Sequence, residues 1–434
     1  MSRKVHIAVL DDGIFFGKYQ LQPLRHSAKI ENGVLQPSYQ NPERKTSHGT
    51  VCAAIIHLYA PEAELSSIKV IFGEKRTGNP DDLIAAIDWC LTHQVDLVHL
   101  SIGTVESRDF HKIGAKIHEA AKQGLLFVAA QSNSRQYTYP ACLSDVIGVS
   151  QRPIYQRAQF RMNRNALNCV EISASSVHEL PLLDGSFHST AICNSFAAPL
   201  ITAKAAGFLE KAGCPLSKEE LCGLLAKDGD CLAKTPYDPY FQVLNDCYAP
   251  EQVAVLRAEE VNQPIKGDKR YLIFEDKLNQ EQRKQVISLH RRYLEPGEYE
   301  SRLHMRQTAE ETELPTVSID TGDTQLDEQL ASLLEQAIYT QSYYPVVLSS
   351  WIKDAGRGWF FCPAGWNPYR VACTLARDIR PDILVLCSLR EDRADIRVHR
   401  TDGSFVIESE EGEQACSSAE KAMEDICGLI FEDE

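Results

Sequence analysis

The first half of the chain alternates short apolar runs with helical stretches. Residues 4–10 and 125–130 are continuous runs of mainly apolar residues that end in a turn or in polar residues. Such runs are typical of parallel strands buried on both faces of a sheet. Residues 196–209 are rich in alanine and larger apolar side chains and predict a long buried helix. Strands and helices of this kind predict an α/β fold with a mainly parallel central sheet.

The pattern changes after residue 246. A connecting region, 249–323, is predicted to hold a strand, a charged helix and a linker, and residues 324–434 predict an α+β accessory domain. The first domain is accordingly predicted to span 1–248. The predicted elements of the second half are a strand at 269–275, a helix at 279–295, a linker at 297–323, a helix at 326–340, a strand at 344–351, a loop at 359–368, strands at 383–389, 394–399 and 404–409, and a helix at 415–431. A hairpin is predicted at Thr401-Asp402-Gly403.

Composition narrows the classes of partner. The 434 residues are 44% hydrophobic and 24% charged, as in ordinary globular proteins, and the formal net charge is -15. Because phosphates attract basic surfaces, this charge argues against nucleic acid and against an anionic membrane as partners. The sequence has no apolar run that approaches the length of a membrane-spanning helix.

The cysteines bear on the compartment. There are 14, scattered without the paired spacing of a zinc site, so neither a metal nor another cofactor is expected. The first ten residues lack the apolar stretch of a secretory signal. We therefore expect reduced thiols and a cytoplasmic location, with disulfides in an oxidising compartment as the alternative.

Three short strings supply an acid, a base and a nucleophile, in that order along the chain. Asp11 lies in Leu-Asp-Asp-Gly at the end of the first predicted strand, where open α/β sheets place their chemistry. His48 lies in Ser-His-Gly-Thr and opens a predicted helix, which would hold a base rigidly. Ser195 begins Ser-Phe-Ala-Ala-Pro on the long helix, and a helix N-terminus offers free N–H groups to a developing anion.

These strings and their order resemble the subtilisin-like serine peptidases, the peptidase S8 family, over about residues 4–245. The resemblance implies a subtilisin-like three-layer fold and a catalytic triad of Asp11, His48 and Ser195. It also implies that Asn133, which ends a segment similar to the family's VVAAAGN strand, donates to the oxyanion. The first strand begins near residue 4, as in an intracellular type without an N-terminal pro-segment.

The resemblance further implies a substrate-binding set. Its members are Asp12, Ser101, Ile102, Gly103, Ala130, Gln131, Ser132 and Asn194. The segment 101–103 would pair its backbone with an extended peptide. Asp12 resembles the second acid of the kexin and furin branch and would read a basic substrate residue, or else is a solvated turn carboxylate. Asn194 would donate to the oxyanion in place of the family's Thr.

Two departures from the family pattern lie beside the predicted site. Ser132 replaces a Gly that helps to floor the first specificity pocket, which predicts a narrower pocket. Cys193 replaces a Gly just before the nucleophile, which predicts backbone strain or a shifted turn. The short turn at 58–65 leaves little room for the calcium loop of many secreted relatives, so no metal is expected there.

Together these features predict a cytoplasmic serine endopeptidase that acts on a peptide or protein substrate. A dedicated role in processing a precursor, for example removing the leader of a peptide natural product, is favoured over bulk degradation. Two alternatives stay open: a catalytically silent peptide-binding or regulatory module on the same fold, and a regulated activating protease of a defence or toxin system. The sequence leaves the oligomeric state open.

Overall fold

The protein is described by a computed structural model. The described residues are 4–38, 46–73, 77–106, 109–133, 138–143, 145–152, 158–163, 170–229, 253–265, 269, 271–288, 292–295, 313–351, 359–362, 367–379 and 381–431. The chain divides into two compact units, Met1–Tyr240 and Phe241–Glu434. The predicted boundary at residues 248 and 249 lies outside the described residues.

The first unit is built on a nine-stranded sheet with the order β10-β11-β9-β8-β7-β1-β4-β2-β3. Its strands and the short hairpins beside it are β1 His6–Asp11, β2 His26–Glu31, β3 Val34–Pro37, β4 Glu64–Lys69, β5 Ile71–Phe72, β6 Thr77–Gly78, β7 Leu97–Leu100, β8 Leu126–Ala130, β9 Ile147–Gln151, β10 Phe160–Met162, β11 Ile172–Ala174, β12 Glu179–Pro181 and β13 Phe187–Ser189. The seven inner strands are parallel, and β10 and β3 are antiparallel edges. The predicted mainly parallel sheet is confirmed.

The described residues of this unit also form five helices. They are α1 His48–Tyr59, α2 Pro80–Thr92, α3 Phe110–Lys122, α4 Asn194–Ala212 and α5 Lys218–Asp228. Alternate residues of β1 point to opposite faces, and Ile7 and Val9 share one core cluster with Ile56 of α1 and Leu200 of α4. A second pair of helices, α2 and α3, pack against each other. The result is the predicted three-layer α/β arrangement.

The register of the central strands gathers their ends at one edge. Leu10 of β1 lies beside Leu100 of β7, and Leu100 lies beside Ala129 of β8. Because parallel strands share the direction of their carboxyl ends, the residues that follow β1, β7 and β8 meet at this edge. These are the segments in which the sequence places the candidate acid, the substrate-pairing strand and the oxyanion donor.

The described residues of the second unit form two sheets. A three-stranded parallel sheet joins β14 Val253–Leu256, β15 Tyr271–Phe274 and β16 Arg292–Leu294, next to a 3-10 helix Ala258–Asn262 and α6 Gln280–Ser288. A seven-stranded sheet has the order β19-β18-β20-β17-β21-β22-β23, with β17 Thr316–Asp320, β18 Pro345–Ser349, β19 Phe360–Phe361, β20 Ile383–Cys387, β21 Ile396–Thr401, β22 Ser404–Ser409 and β23 Gly412–Cys416. Its helices are α7 Thr324–Thr340, α8 Pro368–Ile379 and α9 Ala419–Phe431.

Several sequence expectations for this unit are corrected. The helix predicted at 279–295 ends at Ser288 and is followed by β16, and part of the predicted linker forms the buried strand β17. The segment 412–416 is a strand, so the last helix begins later than predicted. The hairpin is confirmed, with Asp402 and Gly403 both at positive φ, as its tight turn requires. Among the described residues, no helix is long and apolar enough to cross a bilayer.

Candidate active site

A buried Asp11 and a half-buried His48 form a pair at the carboxyl end of β1. The Asp11 Oδ2 atom lies 2.7 Å from His48 Nδ1, and its Oδ1 atom accepts from the Asp12 N–H at 2.8 Å. With Nδ1–H donated to the carboxylate, Nε2 of a neutral imidazole is left as an acceptor. This is the arrangement of a general base held in one tautomer by an acid.

Helix α1 approaches this pair closely. Its N-cap is Ser47, whose hydroxyl accepts from the Thr50 N–H. A Cβ atom on Gly49 would lie 2.8 Å from the Gly13 carbonyl oxygen and 3.0 Å from Asp11 Cβ. Glycine is therefore needed at 49 for the helix to start beside the acid.

Asp12 stabilises the start of α1. It is buried, and its carboxylate accepts from the Gly49 N–H at 2.9 Å and from the His48 N–H at 3.3 Å. A carboxylate at a helix N-terminus satisfies free N–H groups and favours the helix dipole. Asp12 is not among the described residues that line the cleft. The structure thus gives Asp12 a structural task, and its burial rules out the alternative of a solvated carboxylate. Its contact with a basic substrate residue stays a prediction.

Ser195 lies in the first turn of α4. The Phe196 ring stacks on the His48 ring, with centroids 5.4 Å apart and an interplanar angle of 24°. The Phe196 carbonyl accepts from His178 Nε2 at 2.9 Å, and His178 Nδ1 lies 3.0 Å from the Tyr59 hydroxyl. The sequence analysis missed His178, because only the folded chain brings it to the helix start.

Cys193 is the N-cap of α4, with φ -157° and ψ 158°. This is extended backbone, which any residue adopts without strain. The strain predicted at Cys193 is therefore absent. Burial raises the pKa of the Cys193 thiol, so the sulfur is a neutral side chain beside the site rather than a reactive thiolate.

Asn133 and Asn194 are joined by a hydrogen bond. The Asn194 backbone N–H donates to Asn133 Oδ1 at 2.9 Å, so the donor half of the Asn133 amide is its Nδ2 group, which the exposed side chain can present to the cleft. The buried Asn194 side chain donates to the Ser132 carbonyl and accepts from the Gln151 N–H, both at 2.8 Å. Asn194 therefore links the ends of β8 and β9 to α4. Its donation to the oxyanion stays a prediction.

One cleft of about 870 Å³ contains most of the predicted residues. Those that line it are Asp11, His48, Ser195, Asn133, Ser101, Ile102, Gly103, Ala130, Gln131 and Ser132. The structure thus brings the predicted triad, the oxyanion donor and six of the eight predicted substrate-binding residues to one place.

Thr138 also lines the cleft, and no local sequence pattern marks it. Its Oγ1 atom accepts from the Ser132 N–H at 3.0 Å. A Cβ atom on Gly103 would lie 2.7 Å from Thr138 Cγ2 and equally close to the Tyr139 carbonyl oxygen. Thr104 and Tyr139 exchange backbone hydrogen bonds of 2.8 and 3.0 Å. The segments 101–104 and 138–139 are therefore in contact below the cleft. The only clue in the sequence was the short distance from Asn133 to Tyr139.

The negative charge of Asp11 favours the protonated form of His48, which the base adopts during the reaction. Burial lowers the pKa of His48, but the Cys52 sulfur and the Asp11 carboxylate raise it, and the net direction is upward. Burial raises the pKa of Asp11, whereas its hydrogen bond and attraction to His48 lower it. Asp11, His48 and Cys52 are also the described residues whose ligand atoms lie within 4.8 Å of one another, but His48 and Asp11 already use theirs on each other.

A cleft that holds a serine, a histidine and an aspartate at the edge of a parallel α/β sheet is the arrangement of a serine hydrolase. The Subtilase family model (peptidase S8) matches residues 2–228, which is more than half of the chain. The protein therefore belongs to the subtilase family.

Two curated proteins and one solved structure illustrate the similarity. The chain is similar to the minor extracellular protease Epr of Bacillus subtilis strain 168, with 26% identity over 293 residues, which cover 61% of this chain and 42% of that protein. It is similar to the major intracellular serine protease of the same organism, with 26% identity over 150 residues, covering 33% and 46%. The crystal structure of a lanthipeptide protease superposes with a TM-score of 0.39 at 15% identity, covering 53% of this chain and 81% of that one. The chain spans about half the length of the curated relatives it matches.

Proposed function

We propose that this chain is a serine endopeptidase. The observation that carries the proposal is the 2.7 Å contact between Asp11 and His48 Nδ1, in a cleft that also contains Ser195 and Asn133. In the proposed mechanism, Nε2 of His48 takes the proton of the Ser195 hydroxyl while the oxygen attacks the peptide carbonyl. His48 then gives this proton to the leaving amine as the carbon–nitrogen bond breaks, which leaves an acyl-enzyme on Ser195.

Water completes the cycle. His48 takes a proton from the water that attacks the acyl carbonyl, and returns it to the Ser195 oxygen when the ester bond breaks. Asn133 Nδ2 and the Ser195 N–H stabilise the oxyanion that forms in each half-reaction. Asp11 keeps its negative charge throughout and supports the imidazolium.

The first test is labelling with a fluorophosphonate, which forms a covalent bond to an activated serine. We expect intact mass spectrometry of the full chain to show one adduct, and Ser195→Ala to show none. Ser186→Ala is the matched control, because Ser186 lies in an exposed turn of the same unit. This variant should label like the wild type. A folded wild-type protein without an adduct would instead support the silent peptide-binding module.

We further propose that the substrate carries a small side chain immediately before the cleaved bond. Contact between Thr138 and the segments on both sides of the cleft supports this, because it removes depth where such a side chain would enter. A peptide library should show glycine, alanine or serine at this position in most products. Thr138→Gly should admit larger residues there. Equal cleavage after large aromatic residues by the wild-type protein would contradict the proposal.

We propose a dedicated processing role in the cytoplasm rather than bulk degradation. The contacts of Thr138 with Gly103 and Ser132 in the cleft support it, since a cleft of reduced depth would accept fewer sequences. No disulfide joins any two of the eleven cysteines among the described residues, which fits a reducing compartment. The same cleft would equally serve an activating protease of a defence or toxin system.

A further inference from the structure

The carbonyl of the nucleophile lacks one backbone partner. In an α-helix the N–H of each residue donates to the carbonyl four positions before it. Pro199 is the residue four positions after Ser195 on α4, and proline has no N–H. The Ser101 hydroxyl takes its place and donates to the Ser195 carbonyl oxygen at 2.8 Å, and the weaker donor Cys52 Sγ lies 3.7 Å from the same oxygen.

The Ser101 hydroxyl is in turn held by a buried histidine. His99 on β7 is fully buried, with Nε2 2.9 Å from Ser101 Oγ and Nδ1 2.8 Å from Thr202 Oγ1. Ser101 has one hydroxyl hydrogen, which it gives to the carbonyl, so it must accept from His99 Nε2–H. The Thr202 hydroxyl lies 3.2 Å from the Ala198 carbonyl oxygen and 2.8 Å from His99 Nδ1, and we assign its hydrogen to the closer partner, Nδ1. A neutral imidazole with its hydrogen on Nε2 satisfies these contacts.

The electrostatics agree with this tautomer. Burial, assisted by the nearby charge of His48, lowers the pKa of His99 to about 3. A ring that stays neutral throughout the working pH range has one donor and one acceptor, and the structure uses both. The chain Thr202, His99, Ser101 therefore connects the body of α4, through the end of β7, back to the first turn of the same helix.

We propose that His99 is a positioning residue for the nucleophile. It orients the Ser101 hydroxyl toward the Ser195 carbonyl oxygen. This hydrogen bond stabilises the first turn of α4, where Pro199 provides no N–H. His99 touches neither the substrate nor the reacting atoms, and its effect passes through Ser101. The proposal rests on the proposed peptidase function, because it concerns the placement of the Ser195 hydroxyl relative to His48.

The test compares replacements at 99 with a matched buried histidine. His6 is equally buried, and its Nε2 atom lies 2.7 Å from Ser66 Oγ, but it lies at the other end of β1 from Asp11. We expect His99→Leu to lower kcat about tenfold with little change in KM, since misplacement of a reacting group acts on the chemical step. His99→Gln, whose amide can still donate to Ser101, should recover most of this loss. His6→Leu should lower the thermal midpoint without changing kcat.

A double-variant cycle separates positioning from general damage. If His99 acts through Ser101, the combination of His99→Leu with Ser101→Ala should lower kcat no further than Ser101→Ala alone. The pH profile of kcat should keep its wild-type midpoints, because His99 does not ionise in that range. Should His99→Leu fail to fold, Ser101→Ala and His99→Gln still carry the test.

The failures are distinguishable. A wild-type protein that takes no fluorophosphonate label would end the proposed function, and with it this inference. A wild-type protein that labels, beside a His99→Leu variant with unchanged kcat, would overturn only the positioning role. Losses at 99 and 101 that multiply would overturn it as well.

Discussion

Asp11→Asn is expected to lower kcat about 10⁴-fold, the loss seen when the acid of a serine-protease triad becomes an amide. In the wild-type protein the carboxylate accepts from His48 Nδ1 at 2.7 Å. An asparagine in the same place presents an amide that can donate to Nδ1. The imidazole hydrogen then moves to Nε2, the atom that must receive the Ser195 proton. Substrate binding does not use Asp11, so KM should change little.

The same variant should shift the pH dependence. His48 acts as a base only when neutral, so kcat/KM falls as the pH drops through its pKa. The pKa of His48 lies above its ordinary value of 6.5 in the wild-type protein, so the acid limb should have its midpoint above 6.5. Burial lowers the pKa of His48 and the Asp11 charge raises it. Without that charge the pKa should fall, and the midpoint of the acid limb should move to lower pH. Steady-state kinetics between about pH 5 and 10 measure both effects.

Asp12→Asn is the matched control for this experiment. Asp12 is adjacent to Asp11 and as deeply buried, but it faces the backbone of α1. Asparagine keeps an oxygen for the closer N–H, that of Gly49, but loses the second acceptor, which faces His48 N–H, and the charge near the helix dipole. The loss of the charge costs about 1 kcal/mol of stability. Its kcat loss should be far smaller than that of Asp11→Asn. Equal losses in the two variants would mean that Asp11 acts only by holding structure.

The sequence predicts well those residues whose role is indicated by neighbours within a few positions of the chain. Asp11 ends a buried strand, His48 begins a helix, Ser195 lies in the first turn of another, and Asn133 follows a second buried strand. Strand ends and helix starts are local features, and the order of parallel strands then brings them together. This is why the triad residues and Asn133 line one cleft as predicted.

Prediction is weakest where a residue's partner is distant in the sequence. Asp12 and Asn194 bond through their side chains to the backbone of α1, Ser132 and β9, and no local pattern indicates these bonds. Thr138 and His99 likewise have no local pattern that marks them. Thr138 lies against Gly103 and His99 contacts Thr202 of α4, and both contacts arise only when the chain is folded.

The second unit shows the same limit in its secondary structure. The β21–β22 hairpin was predicted because an Asp-Gly turn lies between two alternating runs. Strand β23 is mostly exposed and polar, and pairs only as an edge of the sheet. Without apolar alternation, its strand character comes from its partner β22, and the sequence alone favoured the start of a helix there.

Asn133→Ala is expected to lower kcat about 10²- to 10³-fold with little change in KM, the range known for such a donor in a subtilisin. The amide hydrogen bond strengthens as the carbonyl oxygen becomes negative, so its removal raises the barrier without weakening the ground state. A peptide aldehyde, which forms a tetrahedral adduct with the serine, should lose affinity by a similar factor.

Asn133→Asp decides whether this loss reflects the oxyanion or the helix start. Asn133 Oδ1 also accepts from the Asn194 N–H at 2.9 Å, and alanine removes that contact too. Aspartate keeps an oxygen for Asn194 but replaces the donor Nδ2 with a second negative oxygen. It should therefore be at least as damaging as alanine, because it repels the oxyanion while the helix start stays bonded. Recovery of kcat in Asn133→Asp would show that Asn133 serves to place Asn194 and Ser195, and that the oxyanion relies on the backbone N–H of Ser195.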